Sequence, residues 1–345
     1  MCNIAGYVGT QPAVPLLIEM MRRQEGFCGG YYSGIATLHE GKIYYAKLTG
    51  DLTRLVDSTE AANLPGTVGI IHSRSKSGGG DPWAHPFVGE REGVVRTAYV
   101  ANGEVGFFAP RTPEYNVLAR QLLEQGYTMH SRVPAQGDAY NVLGDGTAVH
   151  MSDVMSQLIL RHMDGGLAAA EAMAAAYGEM PGELVGLLLS LAEPDSIAFS
   201  RISYPMALSF SSHGAYLAST AMAFPEDAGP VQLLPACSGG RVTRDRVTVT
   251  PYAATPCAVA PLDETQLAAV RQVLLPLLAE GDKTMSPLVI AALEAFPPTE
   301  VKVADLAVYE VLRGLREQGA LRVESRAVPG ATEGLTAPKF YMSLV

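Results

Sequence analysis

The chain has 345 residues, 48% of them hydrophobic and 17% charged, which excludes a disordered protein and leaves room for a large core in two domains more readily than one. Its formal net charge is −10, with the acidic residues scattered and forming no tail, which disfavours nucleic acid and anionic membrane surfaces as general partners. Pro12, Pro15 and Glu19 interrupt the first twenty residues, so no secretion signal is expected. The longest apolar run, Leu184 to Ala192, contains Gly186 and is too short to cross a bilayer. Cys2, Cys28, Cys237 and Cys257 form no CxxC pair and the seven histidines no HExxH. Neither a disulfide framework, a metal site nor a cofactor is expected, and a reducing cytoplasm suits the thiols.

In chain order, Asn3 to Val8 alternates well enough for a strand, Gly9 to Pro15 reads as a turn, and Leu16, Leu17, Met20 and Met21 carry a helical pattern. The glycine-rich passage from Gly26 to Leu52 predicts strands joined by tight turns, with Gly41 at one hairpin. Val68 to Arg74 and Val94 to Gly103 are short apolar strands that end in polar residues, where sites are usually built. Thr112 and Pro113 open a helix that Gly126 closes, with Leu118 and Leu122 on one face. Ala, Met and Leu content predicts helices at about Asp153 to Met163 and Leu167 to Tyr177. From Glu183 to Val249 the pattern returns to strands, the last of them VTRDRVTVTPY. An order of strands, helices and strands implies a layered α+β domain over residues 1–251, not a strictly alternating parallel one.

Residues 252–261 form a proline-punctuated linker. Beyond it, Leu267 to Leu278, Pro287 to Ala295 and Asp305 to Gln318 look helical, and ALRVES and KFYMSLV make two strands around a Pro/Gly-rich turn. Three helices and a two-stranded wing give residues 262–345 a winged-helix-like pattern. From Leu262 onward eight basic residues face eleven acidic ones, whereas a groove binder needs clustered cations to displace counterions. A protein contact is the expectation; Arg313, Arg316, Arg322 and Arg326 carry the opposing case for nucleic acid.

The opening MCNIAGYVG places a cysteine directly behind the initiator methionine. Methionine aminopeptidases remove an initiator before a small side chain, which would leave Cys2 with a free α-amine beside its thiol. That amine titrates near neutrality and serves as a general base, so one residue supplies both nucleophile and base. The bland alternative is a small apolar residue in a strand.

The surrounding motifs resemble those of the class II glutamine amidotransferases, N-terminal-nucleophile hydrolases that include the glutaminase half of glucosamine-6-phosphate synthase. MCNIAGYVG is similar to the family's MCGIxGYxG, GGYYSGIA to RGYDSAGIA, GIIHSRSKSGG to GxxHTRWATHG, AHPF to NAHPH, and YVANGEV to VVHNGxI. The likeness runs from Met1 to about Pro251 and implies a four-layer αββα sandwich, attack by Cys2 on the carboxamide of glutamine or a related small amide, and release of ammonia from a γ-glutamyl thioester. It implies Asn102 and Gly103 as oxyanion donors and Arg74 as the fork for the substrate carboxylate. Ser75, Ser77 and His85 are expected at the substrate, and Asp153, near the family's acidic segment before a helix, holds the substrate ammonium or caps the helix. Asn3 replaces a glycine of the family pattern, Cys28 an arginine, Ser75 a tryptophan and Gly78 a histidine. After residue 261 too little chain remains for a second catalytic domain, so a separate ammonia-accepting protein, possible homo-oligomerisation, hydrolysis of another amide, and a silent scaffold of the same fold all stay open.

Overall fold

A computed structural model describes residues 2–135, 141–298 and 301–345. Two sheets stack face to face. The seven-stranded sheet runs, edge to edge, Gln232–Leu233, Ala207–Phe210, Gly214–Ala218, Asn3–Gly9, Val68–Arg74, Tyr32–His39 and Lys42–Thr49. The six-stranded sheet runs Val247–Pro251, Ser238–Val242, Ile197–Arg201, Glu183–Ser190, Val94–Glu104 and Phe87–Arg91. Ile4, Ala36 and Ile70 of the first meet Val100, Leu187 and Phe199 of the second in one buried core. The sheets approach so closely that a Cβ on Gly6 would sit 3.1 Å from the methyls of Leu187 and Ile197.

Each outer face is covered by helices. Ala13–Arg22 and Leu52–Ser58 pack Leu17, Met20 and Leu55 on the seven-stranded sheet. Thr112–Glu124, Met151–Asp164 and Ala169–Glu179 pack Leu122, Leu158 and Met173 on the other. Because both faces of the central strands are buried, all seven residues of Val68–Arg74 are buried, and its first four, Val68 to Ile71, lack the alternation of a half-exposed strand. The layered mixed αβ architecture expected from the sequence is therefore present.

Helices Glu264–Ala279, Met285–Leu293 and Ala304–Glu317 are followed by the hairpin of Leu321–Pro329 with Thr336–Leu344. Lys283 exchanges both backbone hydrogen bonds with Met342, at 2.7 and 2.8 Å, which ties the segment between the first two helices to the hairpin. This unit has its own apolar cluster, and Phe27, Cys28 and Met222 of the sandwich join it. Phe27 packs edge-on against Tyr309 and Phe340, with centroid distances of 5.6 and 4.9 Å. Residues 252–263 hold no helix or strand beyond a bridge from Val259 to Val301, and Tyr252, Cys257 and Val259 lie against the helical layer. No helix among the described residues is long and apolar enough to cross a membrane.

Three local differences from the sequence expectations have plain causes. Glu25–Cys28 is a turn of helix, not a strand, because Phe27 and Cys28 are drawn onto the C-terminal helices. Phe87–Arg91 is a strand that polar Glu90 and Arg91 and a register shift after Gly89 concealed. VTRDRVTVTPY holds parts of two strands, since Thr243 N–H bonds Arg246 O at 2.8 Å and turns the chain between them.

Glu25 anchors the strands beneath the site. Its Oε1 accepts from Ser73 Oγ at 2.7 Å, Leu52 N–H at 2.9 Å and Ser33 Oγ at 3.3 Å. Burial pushes its carboxyl up to about 7, the Ser73 bond opposes that, and the Asp51 charge adds to it. Between about pH 4.5 and 7 the native state thus holds a proton that the unfolded chain has lost, so stability falls as pH rises through this window, by up to about 3 kcal/mol. Glu25→Gln keeps the acceptor and removes the titration. Urea melts at pH 5 and pH 8 are expected to show wild type losing stability relative to the variant at the higher pH; parallel behaviour of the two contradicts the assignment.

Candidate active site

Cys2 stands just before the first strand, whose partner carries His72, Ser73 and Arg74 in the register Asn3 to Ser73 and Ile4 to His72. Its backbone nitrogen donates to Asn102 Oδ1 at 2.8 Å, across the gap between the two sheets. Asn102 is buried near the end of Val94–Glu104, paired with Val185. The next residue, Gly103, has φ +140, and a Cβ there would lie 2.0 Å from Glu183 O, so only glycine fits.

The Cys2 thiol lies against a cavity of about 270 Å³. Arg74, Ser75, Ser77, His85 and Gly103 line it with Cys2, so the structure gathers these sequence-chosen residues around one space. Asn102 stands directly behind, through its bond to Cys2. Ser75 Oγ is 3.9 Å from Cys2 Sγ. The buried Arg74 guanidinium donates to Gly78 O at 3.0 Å and Trp83 O at 3.3 Å, and lies over the rings of Tyr32 and Trp83 at 4.7 and 5.6 Å. It therefore holds the 75–83 loop as well as bordering the cavity. Lys47 Nζ supports the same loop through Ala84 O at 2.8 Å.

The electrostatics separate the cysteines. Burial raises the Cys2 thiol, yet a hydrogen bond and positive charge from His72, with the Ser75 backbone N–H, lower it overall to about 6. For Cys28 burial outweighs the positive charge of the chain start and the Tyr309 hydrogen bond, and the thiol is pushed up to about 11. His72 Nε2 is held by Ala101 O at 3.0 Å. His85 stacks on His72 with centroids 3.9 Å apart. Burial first, then the neighbouring His72, His150, Arg74 and Lys47 charges, hold His85 well below its usual range. Both His85 ring nitrogens lack a partner among the described residues, which leaves this neutral ring for a ligand.

Asp153 is placed elsewhere. Its Oδ2 accepts from Ser131 N–H at 2.7 Å and Ser131 Oγ at 2.8 Å, its Oδ1 from Gln157 at 3.2 Å, and it does not border the cavity. Nor does it cap the helix: His150 Nδ1 accepts from Ser152 N–H at 3.1 Å in that role. The carboxylate bordering the cavity, among the described residues, is Glu104, directly after the Asn102 and Gly103 pair. Tyr204, whose hydroxyl donates to Glu104 at 3.5 Å, forms another wall.

Sequence reasoning passed over His72, Glu104 and Tyr204. The first sits inside the HSR motif and the second inside ANGEV, so the signal was adjacent; Tyr204 arrives from a loop and carried none. Two departures from the family pattern also gain an explanation. Asn3 Nδ2 donates to Tyr309 Oη at 3.2 Å, Asn3 Oδ1 accepts from Cys28 N–H at 3.2 Å, and Cys28 Sγ lies 3.6 Å from the same hydroxyl. Asn3 and Cys28 are thus the sandwich side of a buried junction with the C-terminal helices. Met1 lies outside the described residues. Among those described, the four cysteines are free and no group of three or more His, Cys, Asp or Glu side chains could hold a metal.

Comparison with known proteins adds relatives. The chain is 24% identical over 251 residues to the glutamine–fructose-6-phosphate aminotransferase of Bartonella henselae, spanning 72% of this chain and 36% of that one. It is 30% identical over 212 residues to the enzyme of the same name from Synechocystis, spanning 61% and 30%. The chain thus covers about a third of the length of these curated relatives. The glutamine phosphoribosylpyrophosphate amidotransferase of B. subtilis, solved with ADP and GMP, shares the fold at a TM-score of 0.59 and 15% identity, over 85% of this chain and 64% of that one. A structure described as the allosteric regulatory enzyme of purine biosynthesis does so at 0.60 and 14%, over 90% and 63%. No family profile matches. The resemblance to glutamine amidotransferases that the motifs suggested is borne out by these relatives.

A thiol near 6 has a direct signature. Alkylation of Cys2 by iodoacetamide, followed by peptide mass spectrometry, is expected to reach half its limiting rate near pH 6, and His72→Asn to move that midpoint up by about a unit or more. A midpoint above pH 8 in wild type contradicts the electrostatic assignment.

Proposed function

We propose that the protein is a class II glutamine amidotransferase whose N-terminal cysteine opens the carboxamide of glutamine and releases ammonia. The observation that carries this reading is the 2.8 Å bond from the Cys2 nitrogen to Asn102 Oδ1 beside a thiol lowered to about 6. Once Met1 is removed, that nitrogen is an α-amine held by a neutral acceptor, free to take the thiol proton and later pass it to the departing ammonia. The thiolate attacks the carboxamide carbon. Charge then develops on the amide oxygen, where the Asn102 amide and Gly103 N–H serve as donors; losing one such donor typically costs about a hundredfold. Ammonia leaves, and water resolves the thioester to glutamate.

The substrate is held by groups that border the cavity. Arg74 receives the α-carboxylate, and the anchoring of its guanidinium on the 75–83 loop fixes the fork. Glu104 takes the ammonium in place of Asp153, whose oxygens are engaged by Ser131 and Gln157. Ser75, Ser77 and His85 complete the polar lining. Ser75 stands where the family pattern has a tryptophan and Gly78 where it has a histidine, and amides other than glutamine belong in the assay for that reason.

Residues 262–345 we read as a winged-helix-like module that contacts protein, in accord with its eleven acidic and eight basic residues. An ammonia-accepting partner would dock there. A cytoplasmic setting suits free thiols. The test is glutamate release from glutamine, with asparagine and simple primary amides alongside. Wild type is expected to release glutamate, Cys2→Ala to lose the rate by about a hundredfold or more, and Arg74→Ala to raise KM for glutamine. Equal background rates in wild type and Cys2→Ala remove the proposal.

A further inference from the structure

The C-terminal hairpin leaves one long edge uncovered. Strand Leu321–Pro329 pairs with Thr336–Leu344 on one side, and among the described residues no strand lies on its other side. The backbone bonds decide which groups face that open side. Val345 N–H donates to Ala320 O at 3.1 Å and Gly330 N–H to Leu335 O at 2.8 Å, so the ladder begins and ends on hydrogen-bonded pairs. Bonded and non-bonded pairs alternate along an antiparallel ladder, which makes Arg322, Glu324, Arg326 and Val328 the residues that bond inward. Met342, opposite Val323, agrees with this phase by exchanging both its bonds with Lys283 on the far side. The N–H and C=O groups of Leu321, Val323, Ser325 and Ala327 therefore point outward, together with the C=O of Pro329.

A long open edge is a template for a further strand. This strand has nine residues, Val323 is 39% exposed, and Arg322, Glu324, Ser325 and Ala327 are exposed beside it. Its sequence, LRVESRAVP, complements itself when reversed. With two copies antiparallel about Ser325, Ser325 meets Ser325, Val323 meets Ala327 and Leu321 meets Pro329, all as hydrogen-bonded pairs. The Leu321 C=O, which faces a proline nitrogen, is the outward group left without a donor. Glu324 then stands opposite Arg326 in both directions, at the non-bonded positions where side chains approach closest. Glu324 and Arg326 already pair within one strand at 2.9 Å, so the charges alternate in sign around a square. Sliding one copy by two residues sets Arg322 against Arg326 and Glu324 against itself, or Arg326 against itself in the other sense. A slide of four restores opposite charges only by carrying Ala327 and Pro329 beyond the strand.

We propose that this edge is a dimerisation surface, on which a second copy of the chain lays its own Leu321–Pro329 antiparallel and joins the two hairpins into one sheet about a twofold axis at Ser325. The contact is isologous, as a closed dimer requires. Backbone bonds supply the attraction, and the exposed charges select the register while adding little affinity. One pair of strands is a small interface, so the dimer forms at micromolar concentration. None of these residues borders the Cys2 cavity, and the inference does not rest on the reading of that site.

Sedimentation velocity on the full chain, from about 1 to about 100 µM, tests the proposal. Wild type is expected to pass from monomer to dimer over that range. Ser325→Pro removes an outward N–H at the axis and leaves the bonds to Thr336–Leu344 in place, so the dissociation constant should rise by about tenfold or more. Glu324→Arg and Arg326→Glu each set like charges opposite one another and should weaken association by about tenfold, with melting temperatures close to wild type. An equimolar mixture of those two variants restores opposite charges at both crossings and should recover the wild-type association. A monomer at every concentration overturns the surface, as does a dimer indifferent to Ser325→Pro. A mixture that associates no more tightly than either charge variant alone overturns the register.

Discussion

The bond from the Cys2 nitrogen to Asn102 Oδ1 is the constraint on which the site depends. Its two ends belong to different sheets, and both sheets are placed by the packing between them. The core of Ile4, Ile70, Val100 and Leu187 sets the spacing, with Gly6 permitting close approach. Local helix or strand preference has no part in that distance. A hundred residues of chain separate the partners, and only sandwich formation brings the nitrogen to its acceptor. Chemistry at the first strand is therefore a readout of the whole double layer.

The same strand is held from a third direction. Asn3 follows the nucleophile immediately and ends on Tyr309 of the C-terminal helices, while Phe27 and Cys28 lock the neighbouring turn to the same ring. On the other side Tyr204 lines both the Cys2 cavity and a groove beside helix Met285–Leu293. The C-terminal unit is thus built into the surroundings of the thiol. Two of its contacts, with Asn3 and Cys28, fall where this chain departs from the pattern of the family it resembles.

Most of the sandwich was legible because its strands and helices carry periodic apolar residues that report burial directly. Val68–Arg74 and Glu183–Ser190 announce themselves as fully buried runs. Phe87–Arg91 does not, since its pairing with Val94–Glu104 shifts register in a polar stretch. Strand order, which places Asn3–Gly9 beside Gly214–Ala218, rests on long-range pairing that no local pattern encodes. Within the site, Cys2, Arg74, Asn102 and Gly103 were visible because short motifs quote them together. His72 acts through its ring on the thiol and Glu104 through a shared wall, and such roles appear only when distances exist. Asp153 shows the converse: its position before a helical pattern suggested a ligand, and Ser131, brought in by a loop, engages it instead.

The central claim is that the sulfur of a processed N-terminal Cys2 forms the bond to substrate. A diazoketone analogue of glutamine, which alkylates an attacking thiolate held in a glutamine site, tests it with intact-mass and peptide mapping of the purified chain. The account predicts a chain lacking Met1 with a single adduct on Cys2, formed in wild type and suppressed in Arg74→Ala. An adduct on Cys28, Cys237 or Cys257, or full retention of Met1 in a chain that still turns over glutamine, contradicts it.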